Sequence, residues 1–76
     1  MSAAKRYEPE SIGGRIKKLR CGENIGEQML CDALGMRIKT LRMIESGEKE
    51  PSLHQLTEFA GFFGTTADYL LKGEEK

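Results

Sequence analysis

The stretch IGEQMLCDALGMRIKTLRMIESG, residues 25–47, decides the fold of this 76-residue chain. Its apolar residues recur with helical spacing on both sides of Gly35, and a glycine suits a left-handed backbone position between two helices. Cys31 is small enough for two helices to cross closely, while Leu41 and Ile44 can anchor the second helix on the first. A small residue, a glycine and two apolar residues at this spacing are typical of a helix-turn-helix.

The flanking sequence adds three helices with the same apolar spacing. Ile12, Ile16 and Leu19 predict a first helix that ends at about Arg20. A capping box of the form Ser-x-x-Gln begins at Ser52 and opens a fourth helix. We therefore predict an all-α fold of five short helices. They cover about 12–20, 27–34, 36–46 and 53–63, with a fifth between Thr66 and Gly73, and the predicted stops of the first four are Gly22, Gly35, Gly47 and Gly64.

The length of the chain fits one domain with one core. We predict a flexible N-terminal arm over 1–10, with Pro9 near the start of the first helix, a helix-turn-helix domain over 11–73 and a C-terminal tail over 74–76. The inward-facing apolar positions of the five helices predict a shared core. Its expected members are Leu19, Leu30, Leu34, Leu41, Ile44, Leu56, Phe59 and Leu70.

Composition and charge narrow the class of protein. At 38% hydrophobic and 32% charged residues, the chain has the composition of a soluble globular domain. It has neither the apolar run of a membrane span nor a secretory signal, so we expect a cytoplasmic protein with no membrane partner. By itself, a net charge of zero argues against a protein that binds nucleic acid. The distribution is uneven, however, because residues 1–20 carry six basic and two acidic side chains, and residues 46–76 carry three basic and six acidic ones.

No residues in the sequence are spaced for catalysis or for metal binding. Cys21 and Cys31 lie ten residues apart and the chain has one histidine, so we expect two buried, reduced thiols and no metal site. His54 is expected to be an exposed residue in the first turn of its helix, without a catalytic partner. We therefore predict a protein that is not an enzyme and has no cofactor.

The motifs closely resemble those of the lambda-repressor-like, or Xre, family of helix-turn-helix regulators. The resemblance extends from Ile12 to about Gly73, and its specificity comes from the order and spacing of several short pieces. These pieces are Ile12-Gly13-x-Arg15-Ile16-x-x-Leu19-Arg20, Leu30 with Leu34-Gly35, Ile44-Glu45-x-Gly47, Pro51-Ser52-Leu53, and Phe63-Gly64-Thr65-Thr66-x-Asp68-Tyr69-Leu70-Leu71. The resemblance implies a five-helix domain that binds double-stranded DNA at palindromic operators as a homodimer.

Two positions depart from the family's pattern. The second helix of the family usually opens with Ser/Thr-Gln, whose glutamine touches DNA, whereas this chain has Gly26-Glu27. Glu27 would face phosphate with like charge, or read a cytosine amino group. The third helix usually opens with a Ser/Thr cap, whereas this chain has Arg37, which favours a phosphate contact over capping.

The third helix carries the residues expected at DNA. Arg37 and Arg42 are expected to hold phosphates, and Lys39 to reach a guanine edge or a phosphate. Ile38 and Met43 lie where the family places base-reading side chains. Ile38 either packs on a thymine methyl group, or is an exposed residue that is merely tolerated or contacts a protein. The full expected set is Glu27, Gln28, Arg37, Ile38, Lys39, Thr40, Arg42, Met43, Ser46 and Lys49.

Two contacts are expected outside the DNA surface, the first from the resemblance and the second from the size of the core. The resemblance places a structural ion pair between Arg20 and Glu45, at the ends of the first and third helices. The short final helix cannot bury Tyr69, Leu70 and Leu71 together, so Tyr69 and Leu71 are expected at a two-fold dimer interface.

Two hypotheses for function follow. The first is a sequence-specific transcriptional regulator, expected to be a repressor, with helix 36–46 in the major groove of its operator. The alternative is a protein-interaction module or antitoxin on the same fold, in which Glu27, Ile38 and Met43 contact a protein partner. A positive face formed by the third helix and the start of the second favours the first hypothesis. An apolar patch in which Ile38 and Met43 join other exposed apolar residues favours the second.

Overall fold

The computed structural model describes residues 11–73 as five helices connected by short turns. They are α1 (Ile12–Gly22), α2 (Glu27–Leu34), α3 (Ile38–Ser46), α4 (Leu53–Phe63) and α5 (Ala67–Lys72). No residue between 11 and 73 lies in a strand, and the predicted all-α fold is confirmed. The predicted arm over 1–10, including Pro9, and the predicted tail over 74–76 lie outside the described residues.

Local hydrogen bonds explain where α4 and α5 begin. The predicted capping box is present, because Ser52 Oγ accepts from the Gln55 backbone N–H at 3.1 Å and Gln55 Oε1 accepts from the Ser52 N–H at 2.9 Å. Thr66 Oγ1 caps α5 by accepting from the Tyr69 N–H at 3.0 Å. Each bond satisfies a backbone donor that has no partner within its own helix.

The predicted end of α1 was wrong. The helix continues past Arg20, and Gly22 is its last helical residue. The residue that follows the helix as its C-cap is therefore Glu23 and not the predicted Gly22. The left-handed residue of the following turn is Asn24, at φ 57°. Asparagine tolerates this conformation better than most residues, so the turn does not need a glycine there.

The start of α3 was also predicted too early. The helix begins at Ile38 and not at residue 36, because Arg37 has an extended backbone and occupies the N-cap position. Met36 belongs to the turn, where its N–H donates to the Cys31 carbonyl at 2.9 Å and closes the end of α2. Gly35, at φ 67°, provides the left-handed residue that reverses the chain there.

The core lies where the five helices meet. Ten apolar residues are buried in one cluster: Ile16, Leu30, Cys31, Leu41, Ile44, Leu56, Phe59, Ala60, Phe63 and Leu70. Leu19 and Leu34, predicted as core members, are only half-buried and pack against its edge.

The two cysteines have different environments, and the prediction that both are buried was wrong for Cys21. Cys21 is exposed near the end of α1, whereas Cys31 is buried on α2. Burial raises the pKa of the Cys31 thiol, which keeps it protonated and unreactive at neutral pH. Both thiols are free.

Helix α1 connects the recognition motif to the last helix, since it packs against α3, α4 and α5. At Gly13 the α1 backbone approaches α3 so closely that an added Cβ would overlap the Ile44 carbonyl oxygen. Helix α1 also contacts the end of α5, where the buried Arg15 guanidinium donates from Nη1 to the carbonyls of Leu70 and Leu71 at 2.7 and 3.1 Å. Arg15 thus satisfies acceptors at the end of α5 that the helix itself leaves open.

Candidate nucleic-acid interface

The two sides of α3 differ in character. Leu41 and Ile44 are fully buried and join the core. Arg37, Lys39 and Arg42 are exposed on the opposite side, which we call the outer face of α3. Within residues 11–73 neither Arg37 nor Lys39 forms an ion pair, so these cations are available to an external anion.

The apolar residues of α3 outside the core are less exposed than predicted. Ile38 and Met43 are half-buried, and Ile38 packs against the core from the first turn of the helix. The expectation of an exposed Ile38 was therefore wrong, because a residue that opens a helix beside a tight turn lies against the preceding helix. Met43 lines a shallow groove on the outer face together with Lys39, Arg42, Ser46 and Glu48.

An ion pair joins the N-terminus of α2 to the outer face of α3. Arg42 Nη2 lies 2.9 Å from Glu27 Oε1, and Arg42 Nε lies 3.2 Å from both carboxylate oxygens. From the sequence, Glu27 was expected to face phosphate with like charge or to read a cytosine amino group, without a pairing to Arg42. In the structure the Arg42 guanidinium neutralises that charge directly.

The pairing has a defined pH dependence. The hydrogen bond from Arg42 lowers the pKa of Glu27, and the same contact raises the pKa of Arg42. Because the pKa of Glu27 is lowered, the ion pair is complete above the ordinary glutamate pKa and is lost only as the pH falls through the lowered value. At neutral pH the two side chains therefore remain paired.

The ion pair between Arg20 and Glu45 is present and is more buried. Arg20 Nε lies 2.8 Å from Glu45 Oε2 and Nη2 lies 3.0 Å from Oε1, while Nη1 donates to the Ile25 carbonyl at 3.1 Å. The side chains are 10% and 7% exposed. The hydrogen bond to Glu45 raises the pKa of Arg20. This pair ties α1 to the end of α3 and to the turn before α2.

The remaining predicted contact residues are placed around the outer face. Gln28 is exposed but donates to Asp32 at 2.8 Å within α2, and Thr40 is half-buried. Ser46 donates from its hydroxyl to the Met43 carbonyl at 3.1 Å. Lys49 is exposed in the loop after α3.

Lys17 is a cation at this surface that sequence reasoning missed. It lines a cleft between α1, α2 and α3 together with Arg20, Glu27, Arg42, Glu45 and Ser46. Its positive charge contributes to lowering the pKa of Glu27. The sequence could have indicated this position, because Lys17 lies three residues before Arg20 and residues three apart on a helix share a face. Arg20 was already assigned to the contact between α1 and α3.

Two short helices around a glycine turn, with an inward apolar pair and an outward basic side, are the geometry of a helix-turn-helix. The family described as helix-turn-helix matches residues 16–70 of the chain. The chain belongs to the lambda-repressor-like helix-turn-helix family. The resemblance predicted from the sequence motifs is thereby confirmed.

Curated relatives of this helix-turn-helix chain include three proteins named as regulators or activators of transcription. The prophage-derived uncharacterized HTH-type transcriptional regulator YonR of Bacillus subtilis is 36% identical over 62 residues, 82% of this chain and 57% of YonR. The HTH-type transcriptional regulator AnsR of the same organism is 42% identical over 82% of this chain and 53% of AnsR. The HTH-type transcriptional activator BcrR of Enterococcus faecalis is 33% identical over 80% of this chain and 30% of BcrR.

The similarity concerns a helix-turn-helix domain, since the chain covers about half the length of YonR and AnsR and less of BcrR. The family is one of transcriptional regulators and not of enzymes, in agreement with the sequence-based prediction. Among the described residues, no helix has the length and apolar character that crossing a membrane requires.

Proposed function

We propose that this chain is a sequence-specific, DNA-binding transcriptional regulator that inserts α3 into the major groove of its operator. The observation that carries the proposal is the division of α3, with Leu41 and Ile44 buried and Arg37, Lys39 and Arg42 exposed. A recognition helix needs this division, because one side must hold it on the domain while the other reaches base edges and phosphates. The family membership supports the same function.

The exposed cations have different proposed roles. Lys39, in the first turn of α3, reaches a guanine edge or a nearby phosphate. Arg37, at the N-cap, holds a phosphate and sets the register of the helix without reading sequence. Ser46 and Lys49 contact phosphates from the end of α3 and the following loop.

We further propose that the protein acts in the cytoplasm as a homodimer on a palindromic operator and represses transcription there. Palindromic sites require two copies of the domain, and Tyr69 and Leu71 on α5 are the proposed contacts between them. Leu71 is 43% exposed and Tyr69 is half-buried, so α5 presents apolar surface that its own domain does not cover. Double-stranded DNA is the proposed partner, with no cofactor.

The alternative function, a protein-interaction module or antitoxin, has less support. It required Ile38 and Met43 to join an exposed apolar patch, and both are half-buried. The large apolar residues that are exposed between 11 and 73 are Met29, Leu53 and Leu71, each on a different helix.

A salt-titrated DNA-binding assay on genomic fragments, followed by a duplex that carries the selected site, tests the proposal. Lys39→Ala should lower affinity and, if Lys39 contacts a guanine, relax the preference at one base pair by about 1–3 kcal/mol. Lys72→Ala removes the same charge from α5 and should leave the base preference unchanged. DNA binding that is unaffected by Lys39→Ala, Arg37→Ala and Arg42→Ala would overturn the assignment of α3 and favour the protein-interaction function.

A further inference from the structure

The geometry of the Arg42 guanidinium determines which of its N–H groups remain free. Glu27 accepts hydrogen bonds from Nε at 3.2 Å and from Nη2 at 2.9 Å, which together form the side edge of the guanidinium. A guanidinium has five N–H groups in a fixed plane. Three of them, one on Nη2 and two on Nη1, have no hydrogen-bond acceptor among residues 11–73.

The free N–H groups of Arg42 belong to a side chain that is largely exposed. Two of them, one on Nη2 and one on Nη1, form the end edge of the guanidinium. The side chain remains 65% exposed although its partner Glu27 is only 31% exposed. Arg42 also lines the groove on the outer face that Lys39 and Met43 share. The carboxylate therefore holds the side edge of the guanidinium and leaves the two N–H groups of the end edge without an acceptor among residues 11–73, on a side chain that lines this groove.

This pairing changes what Arg42 is suited to bind. A phosphate is bound mainly through net charge, and the Arg42–Glu27 pair has a net charge of zero, with a carboxylate that repels phosphate. A guanine edge is uncharged and presents two acceptors, O6 and N7, to two N–H groups held in one plane. Fixing the guanidinium lowers the loss of side-chain freedom on binding guanine, because the orientation is set before the contact forms.

We propose that Arg42 reads a guanine in the major groove and that Glu27 is the positioning residue that orients it. The inference deepens the proposed function and rests on it, and it replaces the earlier expectation that Arg42 binds phosphate. It also gives a physical role to the glutamate at a position where the family usually has glutamine. Glu27 acts through Arg42 and not by its own contact to DNA.

The experiment starts from the duplex that the wild-type chain selects from a library of randomised double-stranded DNA. The dissociation constant is then measured for that duplex and for each single base-pair substitution, with the wild-type, Arg42→Ala, Glu27→Ala, Glu27→Gln and Glu27→Ala/Arg42→Ala proteins. Circular dichroism verifies that each variant is folded. Lys39→Ala is the control for a residue that acts at a different base pair.

We expect Arg42→Ala to abolish discrimination at one guanine, a loss of roughly 5- to 150-fold in relative affinity, while the other positions keep theirs. Glu27→Ala should reduce discrimination at the same guanine although it removes a negative charge and strengthens non-specific binding. Glu27→Gln should lie between the wild type and Glu27→Ala, because glutamine keeps one oxygen acceptor for Arg42. The double variant should match Arg42→Ala at that base pair.

Other results would overturn the inference. If Arg42→Ala weakens binding to all duplexes equally and flattens the salt dependence by about one unit of slope, then Arg42 binds phosphate. If Glu27→Ala and Glu27→Gln raise affinity equally and leave discrimination unchanged, Glu27 acts only through its charge. In both cases the wild type still selects a site and the proposed function stands, whereas a wild type without any sequence preference would refute the proposed function as well.

Discussion

Gly13 illustrates how one missing side chain sets the distance between two helices. Judged by helix propensity alone, a glycine inside α1 costs about 1 kcal/mol relative to alanine. In the structure the α1 backbone at Gly13 lies against the Ile44 carbonyl of α3, where a Cβ has no room. The glycine therefore allows α1 to approach the helix that carries the proposed DNA contacts.

We predict that Gly13→Ala destabilises the domain by about 1–3 kcal/mol, because the overlap forces α1 and α3 apart. Gly61→Ala is the matched control, since Gly61 lies within α4 with no atom near the added Cβ. The control should be neutral or stabilising by up to about 1 kcal/mol. Urea unfolding measures both changes, and a stabilised Gly13→Ala protein would contradict the close packing.

The Arg20–Glu45 ion pair gives a second prediction for individual residues. Because both side chains are nearly buried, Glu45→Leu leaves a charged guanidinium without its partner and should cost about 3–5 kcal/mol. The double variant Arg20→Leu/Glu45→Leu should cost less than either single variant, since no unpaired charge remains. A double-mutant cycle by urea unfolding measures the coupling. Additive effects would mean that the two residues do not stabilise the domain as a pair.

At the scale of elements, α3 lacks a side-chain cap. Arg37 occupies the N-cap position with an extended backbone, and its side chain accepts no hydrogen bond from the first turn. By contrast, α1, α4 and α5 are each capped by Ser11, Ser52 or Thr66. The chain thus has a cation where a hydroxyl would stabilise the helix, which agrees with the proposed phosphate contact of Arg37.

Arg37→Ser and Arg37→Ala separate these two roles. Both remove the same charge, but only serine can cap α3, so Arg37→Ser should be more stable than Arg37→Ala by about 1 kcal/mol. Thermal unfolding should show this as a difference of roughly 4–8 °C in Tm. Both variants should lose DNA affinity equally, with a salt dependence flatter by about one unit of slope. Equal stability of the two variants would show that residue 37 does not act as the cap.

At the scale of the whole molecule, the proposed DNA binding uses two copies of the domain. The net charge is zero, so we expect non-specific attraction to DNA to be weak and the affinity to come from a local surface that each of two copies presents. Two copies reading a palindrome place their recognition helices about 34 Å apart. The exposed Leu71 on α5 is the proposed centre of the contact between copies.

We therefore expect Leu71→Glu to weaken self-association on DNA by tenfold or more, because a carboxylate would be buried in an apolar contact. A tenfold loss corresponds to about 1.4 kcal/mol. Leu53→Glu is the control, since Leu53 is the most exposed of the large apolar residues between 11 and 73 and lies on α4. Sedimentation velocity with and without a two-site duplex measures the effect. A wild type that remains monomeric in both conditions would refute the dimer.

Local sequence determined the helices and the direction in which α3 faces. The capping box at Ser52, the glycine after α2 and the spacing of Leu41 and Ile44 each act within about four residues, the reach of one helical turn. For this reason the number of helices, most of their ends and the basic outer face of α3 could be predicted without the structure.

Tertiary structure decided the contacts between residues distant in sequence. Glu27 and Arg42 are fifteen residues apart, and only the crossing of α2 and α3 shows that the carboxylate holds the guanidinium. The exposure of Cys21, the half-buried position of Ile38 and the close approach at Gly13 likewise depend on which helix lies next to each residue. Periodicity identifies the side of a helix that turns inward, but burial and pairing depend on the neighbouring helices and the distance to them.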